Sequence, residues 1–352
     1  MKILVIGPSW VGDMMMSQSL YRTLKAEHPD AVIDVMAPEW CRPLLSRMPE
    51  VNQALAMPLG HGALAIGERR RLGKSLRDQG YDRAYVLPNS FKSALVPFFA
   101  GIPRRVGWRG EMRYGLLNDV RVLDKAAFPL MVERYVALAY DTPFRSARQL
   151  PQPLLKPQLQ VSEAEKSVMA AQFQLSSERP AIGFCPGAEF GPAKRWPHFH
   201  YAALAEQLIR EGFQILLFGS VKDGPTGEEI IASLPETGRE HCRNLAGQTQ
   251  LEQAVILLAQ CRAVVSNDSG LMHIAAALNR PLVALYGPSS PDFTPPLSDQ
   301  ARIIRLIRGY HRVRKGDAEQ GYHQSLIDIQ PSQVHETLRS LLREAQESSC
   351  TS

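Results

Sequence analysis

Cysteine is scarce in this chain of 352 residues, and the five that are present fit neither a disulfide framework nor a metal site. They lie far apart, at positions 41, 185, 242, 261 and 350, and none of the intervals matches a zinc-binding spacing. Scattered cysteines in odd number are typical of free thiols in a reducing compartment, so we predict a cytoplasmic protein. No cluster of His, Cys, Asp and Glu stands at metal-ligand spacing, so we predict no metal site.

Long apolar runs are also absent. The longest, residues 93–102, is shorter than the about 20 residues of a membrane span and contains Pro97. Residues 1–16 make a poor signal peptide, because the apolar stretch ends at Ile6 and Asp13 follows. With 45% apolar and 21% charged residues, the composition is that of a globular enzyme, and the length predicts about two domains.

The first strand–helix turn lacks the residues that a phosphate-binding loop needs. Residues 7–12 have the G-x-x-x-x-G spacing of a P-loop, but Asp13 and Met14 stand where Lys and Ser or Thr are required. A carboxylate there would repel a phosphate, and Ser9 breaks the G-x-G-x-x-G pattern of a dinucleotide site. Two interpretations of Asp13 remain open: an acid that complements the dipole of its helix, or a general base at the carboxyl edge of a sheet.

Positive charge is concentrated in the first half of the chain. Residues 1–157 hold 22 Lys and Arg against 14 Asp and Glu, a net charge of +8, whereas residues 158–352 hold 18 against 21, a net charge of −3. This asymmetry suggests an acidic partner for the first half, although Arg-rich surfaces also serve solubility alone. Arginines alternate with aromatic residues in the stretch 101–114, which we expect to be a loop for an anionic, partly apolar ligand. The candidate contacts are Lys92, Arg104, Arg105 and Arg109.

Two series of alternating apolar strands and helices follow one another. The first starts with the apolar strand 2–6, and the second starts after prolines 151, 153 and 157, which mark a linker. Consecutive series of this kind predict two doubly wound, Rossmann-like α/β domains, residues 1–157 and 158–330, facing each other across a cleft. The tail, residues 331–352, contains a predicted amphipathic helix, and we allow for its packing back on the first domain.

Residues 263–277 have the pattern of a buried strand, a polar corner and an apolar helix. A strand that leads into a helix N-terminus makes an anion site, because unpaired amide groups point outward there. Lys194, which follows an earlier strand, should reach the same sheet edge and neutralise a diphosphate bound at the amides of Ser269 and Gly270. Asp268 is either the helix N-cap or an acceptor from ligand hydroxyls, and His273 is either a core histidine or a ligand contact.

These residues resemble the bacterial heptosyltransferases of glycosyltransferase family 9. The resemblance rests on Ser266-Asn-Asp-Ser-Gly-Leu-Met-His273, Lys194-Arg-Trp-Pro197 and Gly12-Asp13, and it runs through nearly the whole chain. It implies the GT-B fold and the transfer, with inversion, of L-glycero-D-manno-heptose from ADP-heptose to the first heptose of the lipopolysaccharide inner core. It also implies a donor site in the second domain, a site for the anionic Kdo2-lipid A precursor in the first, and no nucleic acid partner.

The resemblance further implies roles for individual residues. Asp13 would take the proton of the acceptor hydroxyl, and Lys194 would hold the pyrophosphate and stabilise ADP as leaving group. Asp268 would bind heptose or ribose hydroxyls, with Asp223 as a second candidate for the ribose. The residues expected at the phosphates are Ser269, Gly270 and His273. Relatives often have hydroxyl residues shortly before the lysine, where this chain has Glu189 and Phe190.

The same resemblance implies that no bound cofactor is required, and it is compatible with stimulation by Mg²⁺. It adds the expectation of peripheral contact with the cytoplasmic face of the inner membrane. Three alternatives stay open: the first or third heptosyltransferase of the core, a nucleotide-sugar epimerase or hydrolase of the same fold, and a non-catalytic binding protein. An epimerase or hydrolase needs no acidic acceptor, so product formed from the donor alone would distinguish it.

Overall fold

The computed structural model describes residues 1–60, 62–189, 191–309, 313 and 315–350. The chain forms two compact units, Met1–Gln158 and the part from Leu159 onward, so the observed division lies one residue beyond the predicted one. The cysteines at positions 41, 185, 242 and 261 are buried free thiols. Within these ranges, no helix combines the length and the apolar character needed to cross a membrane.

The first unit is built on a six-stranded parallel sheet. Its strands are β1 (Lys2–Ile6), β2 (Val32–Ala37), β3 (Val51–Ala56), β4 (Arg83–Val86), β5 (Arg104–Trp108) and β6 (Asp119–Arg121). They lie in the order β3-β2-β1-β4-β5-β6, and each pairs in parallel with its neighbours. In the central strand β1, Ile3, Leu4 and Val5 are fully buried, as expected for a parallel sheet covered on both faces.

The helices of the first unit connect these strands. They are α1 (Val11–Glu27), α2 (Arg42–Leu45), α3 (Ile66–Ser75), α4 (Leu95–Phe99) and α5 (Met131–Val136), with 3-10 turns at Glu39–Cys41, Arg77–Gln79, Phe91–Ala94 and Ala147–Gln149. Helix α1 begins two residues before Asp13, so that carboxylate belongs to the first helical turn. This is the helix end at which a negative charge is stabilised by the helix dipole.

The expectation of a loop over residues 101–114 was wrong for the central part of that stretch. Arg104–Trp108 is a strand, and Arg104 and Arg105 are its first two residues. Strand β5 pairs with β4 on one side and β6 on the other, and its arginines lie opposite Arg83 and Ala84 of β4. Both arginines therefore lie at the amino end of the sheet, whereas ligands of open α/β sheets bind at the carboxyl end.

The second unit repeats this architecture. Its strands are β7 (Ala181–Cys185), β8 (Gln214–Leu217), β9 (Cys242–Asn244), β10 (Ala263–Asn267), β11 (Leu282–Tyr286) and β12 (Ala301–Arg305). They form a parallel sheet in the order β12-β11-β10-β7-β8-β9. The predicted strand at Ala263 is confirmed and extends two residues further than its apolar part, to Asn267.

Eight helices surround the second sheet within the described residues. They are α6 (Glu163–Gln172), α7 (His198–Arg210), α8 (Gly224–Ala232), α9 (Glu236–Arg239), α10 (Leu251–Gln260), α11 (Gly270–Ala277), α12 (Gln324–Ile327) and α13 (Pro331–Cys350), with 3-10 turns at Pro192–Lys194, Val221–Asp223 and Glu319–Gly321. The apolar side chains Val334, Leu338 and Leu341 of α13 are fully buried in the core of this unit. The tail helix thus packs on the core of the second unit.

Both sheets have the strand order of a Rossmann fold. Counted from the first strand of each unit, the order is 3-2-1-4-5-6, and the direction of winding reverses between the first and fourth strands. The reversal lies between β1 and β4 in the first unit and between β7 and β10 in the second. Because helices on opposite faces leave a crevice there, the loops that follow these four strands are where each unit should bind a ligand.

Candidate functional site

In the second unit, a lysine and a carboxylate meet at the point where the sheet reverses. The loop after β7 ends in the turn Pro192–Lys194, and Asp268 directly follows β10. The Lys194 Nζ lies 2.8 Å from Oδ2 of Asp268, and the two side chains are 18% and 10% exposed. The pair is largely but not completely shielded from water, so a ligand that enters the crevice can still reach both charges.

Asn267 fixes the position of this lysine loop. The side chain is fully buried at the end of β10. Its Oδ1 accepts the backbone N–H of Trp196, at 3.0 Å, and the hydroxyl of Tyr201, at 3.1 Å, while Nδ2 donates to the carbonyl of Pro186, at 2.7 Å. The bonds to Pro186 and Trp196 therefore tie both ends of the loop that carries Lys194 to the end of β10, next to Asp268.

The N-terminus of α11 opens at the same crevice. The N-cap is Ser269, with extended backbone angles, which rules out Asp268 as the cap. The Oγ of Ser269 makes no capping hydrogen bond and lies 3.3 Å from the Oγ of Ser266. Amide groups in the first turn of a helix have no partner within the helix, so Gly270 and its neighbours present donors for an anion beside the lysine.

His273 lies one turn into α11 and is buried. Burial lowers the pKa of His273 to about 4; the charge of Asp268 acts in the opposite direction, and that of Lys194 adds to the lowering. The imidazole is therefore neutral near pH 7 and can only donate or accept a hydrogen bond there. If it contacts a phosphate, it does so without contributing a positive charge.

The structure gives Asp223 a structural task that the sequence did not reveal. Its Oδ2 accepts from the backbone N–H and the hydroxyl of Ser220, at 2.9 and 2.7 Å, and Oδ1 lies 3.3 Å from an Arg195 nitrogen. Gly187 packs so closely on this carboxylate that a Cβ there would meet it at 2.5–2.6 Å, and a Cβ at Gly219 would meet the Cβ of Asp223 at 2.7 Å. Asp223 thus joins the loops after β7 and β8, and its contact with a ribose stays a prediction.

Glu189 and Phe190 are the two residues that stand before Lys194 where relatives often have hydroxyl residues. Glu189 is partly exposed and forms an ion pair with Lys222, at 3.2 Å, across the loops after β7 and β8. Phe190 lies outside the described residues. The loop before Lys194 therefore presents a paired carboxylate and no hydroxyl among its described residues 187–189 and 191–193.

In the first unit, Asp13 lies at the corresponding reversal of the sheet. It is half-buried in the first turn of α1, and the preceding loop is held by the Trp40 Nε1, which donates to the carbonyl of Ser9 at 3.0 Å. Tyr135 of α5 is buried, and its pKa is raised well above the usual value, first by burial and then by the negative charge of Asp13. The carboxylate lies at the carboxyl edge of the sheet, where open α/β sheets bind their ligands, and this is the position that a general base for a bound acceptor requires.

A pocket of about 520 Å³ opens at this carboxyl edge. Its lining combines apolar and polar side chains, a combination typical of sites that bind organic ligands. The residues that line it include Gly7, Ser9, Trp40, Met57, Leu64, Asn89, Phe91, Lys92 and Glu111. Lys92, predicted from the sequence as an acceptor contact, is thus a pocket residue.

The predicted arginines separate into two groups. Arg109 directly follows β5 and is exposed at the carboxyl edge. Arg104 instead pairs with Asp119, at 2.8 Å, and with Asp141, at 2.6 Å. Arg105 donates to the backbone carbonyl of Leu116. The structure does not bring Arg104 and Arg105 to the pocket, because both lie at the amino end of β5 and hold neighbouring segments together.

No metal site is visible in the part of the chain that the structure describes, where no three His, Cys, Asp or Glu side chains come together. Positive charge at the second-unit crevice comes instead from Lys194 and from the end of a helix. These are the groups that stabilise a diphosphate in the absence of a bound cation.

The two Rossmann-type sheets are those of the GT-B class of glycosyltransferases. The model of glycosyltransferase family 9 (heptosyltransferase) matches residues 69–323. The chain therefore belongs to this family and is a glycosyltransferase.

Individual relatives agree with this assignment over almost their whole length. Lipopolysaccharide heptosyltransferase 2 of Salmonella typhimurium is 77% identical over 98% of this chain and 99% of its own. Lipooligosaccharide heptosyltransferase 2 of Haemophilus influenzae is 63% identical over 97% and 99%. The solved structure of E. coli ADP-heptose lps heptosyltransferase II superposes with a TM-score of 0.91, at 72% identity, over 98% of this chain and 100% of that one.

Proposed function

We propose that this protein transfers L-glycero-D-manno-heptose from ADP-heptose to the first heptose of the lipopolysaccharide inner core, with inversion at the anomeric carbon. The observation that carries the proposal is the Lys194–Asp268 pair beside the N-terminus of α11. One cation and a row of amide donors suit a diphosphate, and the adjacent carboxylate suits sugar hydroxyls. The high identity to heptosyltransferases 2 supports the choice of donor and acceptor.

The donor half of the reaction depends on charge at the leaving group. As the bond between the anomeric carbon and the diphosphate oxygen breaks, negative charge grows on ADP. Lys194 and the amides of Ser269 and Gly270 stabilise that charge, which makes ADP a better leaving group. When a diphosphate binds Lys194, Asp268 gives up part of its ion pair and accepts hydrogen bonds from hydroxyls of the heptose or ribose. His273, neutral near pH 7, supplies one further hydrogen bond at the phosphates.

The acceptor half depends on a base. Asp13 takes the proton of the acceptor hydroxyl as its oxygen forms the new bond to the anomeric carbon. A single displacement of this kind inverts the configuration. Lys92 and Arg109 bind the carboxylates and phosphates of the precursor, since both lie at the carboxyl edge of the first sheet. Arg104 and Arg105 are left out of the acceptor site because their partners are within the protein.

We propose that the chemistry needs no bound cofactor, because Lys194 and the helix terminus carry the positive charge that a metal would otherwise supply. Mg²⁺ would stimulate the reaction by binding the diphosphate itself. Since the acceptor precursor is anchored in lipid, we further propose that the protein works at the cytoplasmic face of the inner membrane as a peripheral protein.

The proposal is tested by following ADP release with donor alone, with donor and acceptor, and with variants of the base. We expect ADP release to require the acceptor, and Asp13→Asn to slow it by about 100-fold or more, the usual contribution of a general base. The affinity for ADP, measured by calorimetry, should not change. Asp30→Asn, which alters an exposed acid of the same domain, is the matched control.

Two results would reject parts of this mechanism. Unchanged turnover of Asp13→Asn would remove Asp13 as the base. Sugar product formed at full rate from the donor alone would identify an epimerase or hydrolase and reject the transfer reaction.

A further inference from the structure

A second pocket, of about 300 Å³, lies at the amino edge of the second sheet. Pro180, Phe213 and Arg262 line it, and they directly precede β7, β8 and β10, which are neighbours in the sheet. We call this cavity the amino-edge pocket; its other lining residues, mostly from α13, are Glu211, Arg339, Leu342, Arg343 and Gln346. Because Lys194 and Asp268 stand at the carboxyl edge of the same sheet, the amino-edge pocket is separate from their crevice.

Positive charge dominates the lining of the amino-edge pocket, where three arginines face one acid, Glu211. This carboxylate already has two partners, the Nε2 of His335 at 2.7 Å and a guanidinium nitrogen of Arg339 at 2.9 Å. Arg262 and Arg343 are exposed, and no carboxylate among the described residues pairs with either of them. The pocket therefore presents two guanidinium groups whose charge is available to a ligand.

Helix stability does not account for Arg343. A cation stabilises a helix within its last turn, whereas α13 continues to Cys350, about two turns beyond this arginine. Its Nε lies 3.4 Å from the carbonyl of Arg339 in the same helix, which is a long hydrogen bond. Arg262 precedes a strand and belongs to no helix. Neither charge is thus explained by the element that carries it.

Apolar side chains stand beside these charges in the same lining. Leu342 is buried, and Phe213 is half-buried and packs against the core of the second unit. Since both line the pocket, they offer apolar surface to whatever the arginines bind. Small-molecule sites commonly combine such walls with a few polar groups that fix the orientation of the ligand. The lining therefore suits a molecule with an anionic head and an apolar body.

The walls of the amino-edge pocket are held in place by the protein itself. Arg179 donates to the carbonyls of Ile209 and Phe213, both at 3.0 Å, and so fixes the segment that follows α7. The backbone N–H of Arg262 donates to the carbonyl of Ala181 at 2.7 Å. Helix α13 is anchored by its buried apolar side. A pocket whose walls are already ordered loses less conformational entropy on binding, which favours affinity.

We propose that the amino-edge pocket binds a small phosphate monoester that carries an apolar ring or chain. Such a monoester has about two negative charges near pH 7, which matches the two arginines without a carboxylate partner. Its phosphate oxygens accept hydrogen bonds from Arg262 and Arg343, and its apolar part lies against Phe213 and Leu342. A volume of about 300 Å³ is at the lower end for small-molecule sites and favours a small ligand over a protein segment. The proposal does not rest on the proposed function.

The test is isothermal titration calorimetry of the full chain with phenyl phosphate as the probe. Titration of Lys194→Met, which removes the cation of the other anion site, isolates the amino-edge pocket. We expect one molecule of phenyl phosphate to bind per chain there, and affinity to fall by about tenfold or more when Arg262→Gln and Arg343→Gln are added, because two charge-assisted contacts are lost. Arg262→Gln alone, a change at an exposed side chain, should cause part of this loss. The matched control is Arg243→Gln, an exposed arginine on β9, which should leave the affinity unchanged.

Two further ligands separate the contributions of charge and apolar surface. Inorganic phosphate should bind about tenfold more weakly than phenyl phosphate, because it leaves the apolar wall uncovered. Phenol, which lacks the phosphate, should not bind.

Four results would overturn the proposal. They are no binding of phenyl phosphate to Lys194→Met, equal affinity with and without the two arginine substitutions, an equal loss of affinity in the Arg243→Gln control, and inorganic phosphate that binds as tightly as phenyl phosphate. None of these measurements involves heptose transfer, so failure of the proposed function would leave their outcome unchanged.

Discussion

The ammonium group of Lys194 lies 2.8 Å from the carboxylate of Asp268, and this contact joins the loop after β7 to the end of β10 at the reversal of the second sheet. The two residues are 74 positions apart in sequence. Without a ligand, each charge neutralises the other in a largely buried crevice. Under the proposed function, a diphosphate would compete with Asp268 for the lysine, so donor binding would both use the cation and free a carboxylate for sugar hydroxyls.

Removal of the Lys194 ammonium group should slow the chemical step more than it lowers the stability of the protein. For Lys194→Met we expect kcat/KM to fall by about 100- to 1,000-fold, because the charge on departing ADP loses its main partner. Steady-state kinetics with varied ADP-heptose would measure the effect. Lys166→Met, which removes a lysine paired with Glu163 on α6, is the control and should leave kinetics unchanged. Equal kcat/KM for the parent and Lys194→Met would refute the assignment of the lysine.

Substitution of Asn267 should lower both the stability of the protein and its affinity for the donor. Asn267→Ala leaves the buried N–H of Trp196 and the carbonyl of Pro186 without their partner, which costs about 3 kcal/mol of unfolding free energy. It also releases the loop that carries Lys194, so the affinity for ADP should drop. Asn118→Ala, in the first unit, removes a side chain that donates to the carbonyl of Pro103, and it should lower stability while ADP affinity stays unchanged. Undiminished ADP affinity in Asn267→Ala would limit Asn267 to a role in folding.

The buried imidazole of His273 predicts a loss of stability in acid. Its pKa of about 4 in the folded protein lies below the value of about 6.5 in an unfolded chain. The unfolded state therefore binds more protons between these two values, and the folded state loses up to about 1.4 kcal/mol for each pH unit as the pH falls through this window. Chemical denaturation between pH 7 and pH 4 should show this slope. His273→Gln should have a shallower slope, and an identical slope would show that the histidine is not the cause.

Removal of Lys92 should affect acceptor binding, whereas removal of Arg104 should affect stability. Lys92→Ala takes a cation from the pocket of the first unit, so we expect the acceptor KM to rise about tenfold or more with little change in stability. Arg104→Ala breaks ion pairs with Asp119 and Asp141, and it should lower the unfolding free energy by about 1–2 kcal/mol with the acceptor KM unchanged. Acceptor titrations and urea unfolding on both variants provide the comparison. A raised acceptor KM in Arg104→Ala would restore that arginine to the site.

The central strands and the helix that starts at Gly270 could be predicted because their apolar runs are continuous and each ends in polar residues. Strand β5 could not, because its first two residues are arginines and its local pattern is that of a loop. Its strand state depends on pairing with β4 and on the ion pair between Arg104 and Asp119. Such partners become neighbours only after the chain has folded, so no short window of sequence contains them.

The meeting of Lys194 and Asp268 could also be predicted from the pattern of strands, but the residues that hold them in place could not. Lys194 and Asp268 follow strands that belong to one series, so their meeting at one sheet edge could be expected. The hydrogen bonds of Asn267 reach residues 71 and 81 positions away. The sequence around an asparagine does not indicate which distant groups its buried amide will bond. Asp223 was expected to bind a ribose because it follows a strand end, and the contacts of its carboxylate with Ser220 and Arg195 could not be predicted from that position alone.

The proposed reaction adds one heptose to an acceptor that already carries a heptose. It can be checked by mass spectrometry of two acceptors, each incubated with ADP-heptose and the enzyme. We expect a mass increase of a single heptose on the one-heptose acceptor, none on the bare Kdo acceptor, and none on either with Asp13→Asn. Addition of heptose to the bare Kdo acceptor, or no addition to either by the parent enzyme, would show that the proposed reaction is wrong.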